Sequence, residues 1–153
     1  MRHLILSTAA LLAACGQAQP DVRAGDAWAR ETVAGQSAAA AYVTIVNGGE
    51  GGDRLIGVEA APPAEAALHQ TTSSNGVSRM RPLPEGLEIP AGETVELRPG
   101  GSHIMVTGLT APLQRGDTLA LTLRFERSGA TPVEVHIRDP ASSGAANHAG
   151  MAM

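Results

Sequence analysis

The sequence predicts a single all-β domain, a sandwich or a barrel. Three observations carry this. Eight short runs alternate apolar and polar residues with a period of two, and Gly, Pro and Asn separate them. No stretch sustains a helical period of useful length. The apolar residues are mostly Val, Leu, Ile and Ala, with Trp28, Tyr42 and Phe125 as the complete set of aromatics, and 153 residues suffice to bury a real core from them.

Taken in order, the runs are Ala39–Asn47, Arg54–Ala60, Ala66–Thr71, Val77–Arg81, Thr94–Arg98, Ser102–Thr107, Thr118–Glu126 and Val133–Arg138. The alternation is clearest near the end of the chain. Leu119, Leu121, Leu123 and Phe125 are expected to face inward, with Thr118, Thr122, Arg124 and Glu126 outward. Val133, Val135 and Ile137 repeat the pattern, and the last run is expected to start just after Pro132 because proline lacks a ladder donor. The Gly48-Gly-Glu-Gly-Gly52 run reads as a flexible hairpin loop, and it lacks the Gly-Lys-Ser/Thr of a phosphate loop.

The ends differ from this middle. Residues 1–14 read as an export signal: Arg2 and His3, then the apolar Leu4–Leu12, then Ala13-Ala14. The apolar part is too short to span a membrane. Leu12-Ala-Ala-Cys15 resembles the lipobox of bacterial lipoproteins, which makes Cys15 the expected lipidation site. The alternative is an ordinary signal cut near Ala18, but an unpaired thiol in an exported protein would then need a reason. Gly16 follows the cysteine, which resembles outer-membrane sorting more than inner-membrane retention. Residues 15–25 are polar and small and read as a tether, so the folded domain is expected over 26–138. From Asp139 the composition turns to Ala, Ser, Gly and Asn, and residues 139–153 read as a disordered tail. That tail carries His148, Met151 and Met153, which read as a flexible metal-binding arm.

The chemistry is concentrated in few residues. The net charge of −4 and the absence of a basic patch argue against nucleic acid. No nucleophile, base and orienting group fall into a catalytic pattern, so no enzyme activity is expected. His103 and Met105 lie two apart on an expected strand, hence on one face and roughly 6.6 Å apart along it. Upstream stand His69 and Met80. Five methionines occur in all; once Met1 and the two in the tail are set aside, Met80 and Met105 remain. A lone Met is ordinarily core filling, and a lone His ordinarily structural. Two imidazoles and two thioethers with no thiolate form a soft, neutral set that suits Cu(I) rather than zinc, calcium or magnesium. His136 lies between Glu134 and Arg138 on a polar face and reads as a surface residue.

These residues resemble the PCu(A)C family of periplasmic copper chaperones. Ten residues separate His69 from Met80, and twenty-two separate Met80 from His103-Ile104-Met105. The second interval is one longer than the family's usual form. Asp26-Ala-Trp-Ala-Arg30, Ala41-Tyr-Val-Thr-Ile-Val-Asn47, Met80-Arg-Pro82, Ile89-Pro-Ala-Gly92 and Pro99-Gly-Gly101 are similar to that family's landmarks, over about residues 26 to 138. Gln70, Thr71 and Ser78 stand where many members carry an auxiliary His or Met. The resemblance implies a cupredoxin-like β-sandwich, Cu(I) held by His69, Met80, His103 and Met105, and delivery to a cytochrome c oxidase copper site or its assembly factors. It leaves open a second copper, Cu(II) or Cu(I), on the tail. The expected protein is a periplasmic monomer anchored to a membrane, the outer one by the residue after Cys15. Copper sequestration and a metal-free interaction module are the alternatives. A blue-copper electron carrier is excluded because its site needs a thiolate, and the one Cys lies outside the expected domain.

Overall fold

The structure, a computed structural model, describes residues 16–139. The expected signal, Cys15 and the tail residues His148, Met151 and Met153 lie outside the described residues. Ten strands form: β1 (Val22–Arg30), β2 (Ala39–Asn47), β3 (Asp53–Ala60), β4 (Glu65–Ser74), β5 (Val77–Pro82), β6 (Leu87–Ile89), β7 (Thr94–Glu96), β8 (Ser102–Thr107), β9 (Thr118–Phe125) and β10 (Gly129–Arg138). Among the described residues there is no helix. The all-β expectation is therefore met, and each of the expected runs is a strand.

The strands hydrogen-bond in the order β5-β4-β8-β2-β1-β10-β9-β3-β6, with β7 also pairing β2. β1 and β10 run parallel; the other pairs are antiparallel. The ribbon curls until β3 lies beside β4, and the enclosed space is filled by one face of every long strand. Val43 and Ile45 of β2, Leu55 of β3, Ile104 and Val106 of β8, and Leu121, Leu123 and Phe125 of β9 meet there. The inward set expected from the alternation of β9 and β10 is the set that is buried or partly buried. At roughly 1.5–3 kcal/mol for each fully buried large apolar side chain, this core holds the fold.

Two strands have no counterpart in the sequence pattern, and both have physical reasons. The folded part opens at Val22, four residues before the expected Asp26, because Val22–Gly25 pair with β2 from Asn47 to Thr44. A bulge between Gly25 and Trp28, with Asp26 at φ 47°, inserts a residue. Val22 and Ala24 face the core before it, Ala27 and Ala29 after it. The alternation thus changes phase in mid-strand, and the run does not read as period two. β6 is three residues long, below what alternation can reveal. β10 also starts earlier than expected, at Gly129, with Pro132 opposite Thr122 of β9. β1 joins β10 only from His136 onward, so the missing N–H of Pro132 takes no bond from that side.

The Gly48–Gly52 loop is braced rather than flexible. Asn47, fully buried, donates its amide to Gly51 O at 2.9 Å and Ile89 O at 3.2 Å, and its Oδ1 accepts from the N–H groups of Asp21 and Gly49.

A candidate metal centre on the outer face of the sheet

The registers of β4, β5 and β8 set the site. His69 lies directly opposite His103, and Ala67 opposite Met105. On the other side of β4, Thr71 lies opposite Met80 and His69 opposite Pro82. Opposed residues of an antiparallel pair share a face, and diagonal neighbours sit about 7–8 Å apart, within reach of long side chains. His69, Met80, His103 and Met105 therefore project from one face, grouped around His69. Their chain neighbours Leu68 and Ile104 point the other way into the core. Thr71 shares the donor face, whereas Gln70 does not.

The two imidazole centroids are 6.0 Å apart with planes tilted by 56°. His103 is only 4% exposed although it stands on the side away from Ile104, and Met105 is half-buried. Met80 is 52% exposed, on a strand whose six residues are all exposed and which ends the sheet. The donors thus run from buried at β8 to open at β5.

Hydrogen bonds fix which nitrogens are free. His103 Nδ1 lies 3.1 Å from Gly101 O. A carbonyl oxygen only accepts, so Nδ1 carries the proton and Nε2 the lone pair. The same Gly101 O accepts the Thr71 N–H at 3.0 Å, so one carbonyl aligns the ring and ties β4 to β8. The turn presenting it needs Gly100 at φ +81° and is closed by Gly101 N–H to Arg98 O. His103 Nε2 and His69 Nδ1 are buried without any hydrogen-bond partner. An unpartnered buried polar atom costs about 1–3 kcal/mol, and here two occur in facing rings. The arrangement can hold a cation through two imidazole nitrogens, with thioethers beside them. Among the described residues no three of His, Cys, Asp and Glu cluster. A hard divalent ion, which takes oxygen ligands, would find too few carboxylates here.

The same face continues over β2 and β1 in a way the sequence did not signal. Tyr42 is buried and packs on Trp28 with centroids 4.6 Å apart, and the Arg138 guanidinium lies 5.7 Å from the Trp28 ring. Burial raises the Tyr42 pKa, partly offset by Arg30. Only the sheet register brings Trp28 and Tyr42 opposite each other. His136 is exposed, opposite Trp28 on the parallel pair and away from His69 and His103. A depression of about 660 Å³ lies between the 61–64 and 108–118 loops and carries none of the His or Met donors.

The fold and its face of His and Met donors define an all-β domain of the PCuAC type. The chain belongs to the LpqE-like family, whose family model matches residues 22–137, starting where β1 starts. Lxx21020 of Leifsonia xyli subsp. xyli, named as a candidate lipoprotein, is 37% identical over 124 residues, covering 81% of this chain and 74% of its own. The copper-bound PCuAC domain from PmoF2 superposes with a TM-score of 0.63 over 78% of this chain and 93% of its own, at 24% identity. DR1885 of Deinococcus radiodurans, solved in solution in its CuI form, gives 0.60 at 30% identity, covering 83% of this chain and 84% of its own. The family that the sequence resembles is thereby established, together with its fold.

Proposed function

We propose that this protein binds one Cu(I) through His69, Met80, His103 and Met105 and hands it to a copper site of a respiratory cytochrome c oxidase or to an assembly factor of that enzyme. One observation carries the reading: His69 Nδ1 and His103 Nε2 are buried, belong to residues directly opposite each other in the β4–β8 pair, and have no hydrogen-bond partner. The copper in PmoF2 and DR1885 supports the choice of metal. The thioethers support the oxidation state, because soft neutral sulfur suits Cu(I) and survives where thiols would be oxidised.

The gradient of exposure suits release. Met80, on the open edge strand, is the donor an incoming ligand can displace first, while the buried His103 keeps its place. A recipient with thiolates would then draw the ion downhill. Acylation of Cys15 would hold the protein at a membrane facing the periplasm, by preference the outer one. His148, Met151 and Met153 would add a weaker second copper, Cu(I) or Cu(II). The protein acts as a monomeric carrier and not as an enzyme.

Met80→Leu and Met105→Leu keep size and apolarity but remove sulfur. Each should weaken Cu(I) by more than about tenfold, the scale on which metal sites respond even to outer-shell losses. An anaerobic Cu(I) competition titration reads this, and unchanged affinity in both variants would sink the ligand assignment. For the role, a deletion strain under copper limitation should lose oxidase activity and regain it with added copper. Normal oxidase activity with reduced copper tolerance would instead show a sequestering protein.

A further inference from the structure

The Gly48–Gly52 loop is built around another part of the chain. The N–H of Gly51 bonds Gln19 O at 3.1 Å, and that of Gly48 bonds Asp21 O at 2.9 Å. Asp21 N–H in turn bonds Asn47 Oδ1 at 3.1 Å. From the β9–β10 turn Arg127 spans the two segments, with Nη2 to Ala18 O at 2.7 Å and Nη1 to Gly52 O at 2.9 Å. A Cβ at Gly49 would sit closer than 3.0 Å to the backbone of Gln19, Pro20 and Asp21, and one at Gly51 equally close to the backbone of Ala18. The glycines are therefore needed for contact, since the crossing backbone leaves no room for a side chain.

We infer that this loop and Arg127 form a cradle that docks the chain's own N-terminal segment, Ala18–Asp21, and so fixes which end of the sandwich faces the lipid surface. The membrane part of this inference rests on acylation of Cys15; the cradle does not. Only Gly16 and Gln17 separate Cys15 from the docked Ala18. Three residue steps reach at most about 10 Å. The eleven residues that read as a tether therefore act as a leash of two. The loop end of β2 and the β9–β10 turn lie against the bilayer.

The consequence for the copper site follows from the register. Ala41 is opposite Ile104, and Ile104 opposite Leu68, so the two imidazoles stand one step further along, level with Tyr42. From Tyr42 to Asn47 is five residues along β2, about 17 Å. The donors are thus held within about 30 Å of the lipid surface, and on one side of the molecule. A recipient must therefore bring its acceptor side chains within that distance of the membrane that anchors this protein.

The test uses the full-length protein isolated from membranes and placed in vesicles of phosphatidylethanolamine and phosphatidylglycerol containing a gadolinium headgroup lipid. Paramagnetic broadening should be strongest at Gly51 and Arg127 and fall steadily toward His69. In detergent, the amides of Gly48 and Gly51 should be protected from exchange. Gly49→Ala with Gly51→Ala should expose them at least about tenfold faster and flatten the broadening gradient. Arg127→Gln, which introduces no clash, should do the same to a lesser degree. Unchanged protection in both variants would overturn the cradle. The intact mass of the same sample reports the acyl chains: acylated protein with no gradient overturns the orientation, whereas absence of acyl chains overturns the anchor and leaves the cradle to be judged by exchange alone.

Discussion

His103→Leu is expected to weaken Cu(I) binding by more than about 100-fold and yet leave the copper-free domain within about 1 kcal/mol of its original stability. The two halves of this expectation come from the two ring nitrogens. Nε2 has no partner in a buried setting, so removing it relieves a desolvation cost of about 1–3 kcal/mol. Nδ1 donates to Gly101 O, and losing that bond costs about 1 kcal/mol. Leucine fills most of the space, and Gly101 O keeps the Thr71 N–H. For copper the loss exceeds the tenfold to 100-fold that outer-shell changes bring, because an inner donor goes and His69 is left as the one imidazole beside the two thioethers. Thermal denaturation of the copper-free variant, set beside its anaerobic titration, separates the alternatives. A Tm drop above roughly 10 °C with Cu(I) affinity intact would make His103 a structural residue.

Strand identity was legible wherever one face is buried over an unbroken run, as in Leu119–Phe125 or Ser102–Thr107, because the pleat converts burial directly into period two. It was hidden in β1, where the Asp26 bulge shifts the phase, and in β6, which is too short. For the candidate site, the residue types and the two-residue step from His103 to Met105 were legible, because thioether and imidazole are chemically distinctive and a strand step is local. That His69 faces His103 directly was not, whereas Met80 falls beside Thr71 because the tight Asn75-Gly76 turn sets the register of the β4–β5 hairpin. Register between strands more than thirty residues apart is fixed by the whole core, not by neighbouring residues. The glycine loop was misread as flexible for a related reason. Glycine permits motion, but here it permits approach, and only the packed Ala18–Asp21 backbone reveals which.

Asp53→Asn is expected to cost about 2 kcal/mol at neutral pH. Asp53 is 8% exposed. Its Oδ1 accepts from the N–H groups of Arg54 at 2.8 Å and Arg127 at 2.9 Å, and its Oδ2 from the N–H and hydroxyl of Ser128. An asparagine that keeps its oxygen on the Arg54 and Arg127 N–H groups turns its NH2 toward Ser128, whose hydroxyl can accept from it but whose N–H is left unpaired, at about 1–3 kcal/mol, and the bonds that remain lose the charge. The carboxyl also sets the pH dependence. Burial pushes its pKa up, but the hydrogen bonds from Ser128, Arg127 and Arg54 outweigh burial and leave it below the usual carboxylate value. A carboxyl whose folded pKa is depressed stabilises the fold above its unfolded pKa, about 3.9, and this contribution fades as pH falls through the folded value. Wild type should therefore lose stability below about pH 4, and the gap between it and Asp53→Asn should narrow from pH 7 to pH 3. Urea denaturation at the two pH values measures this, and an equal gap at both would show that charge on Asp53 is not what holds the turn. The effect reaches beyond stability. The same carboxylate aligns Arg127, whose guanidinium holds Ala18, so at neutral pH the Asn variant should also expose the amide of Gly51 to exchange.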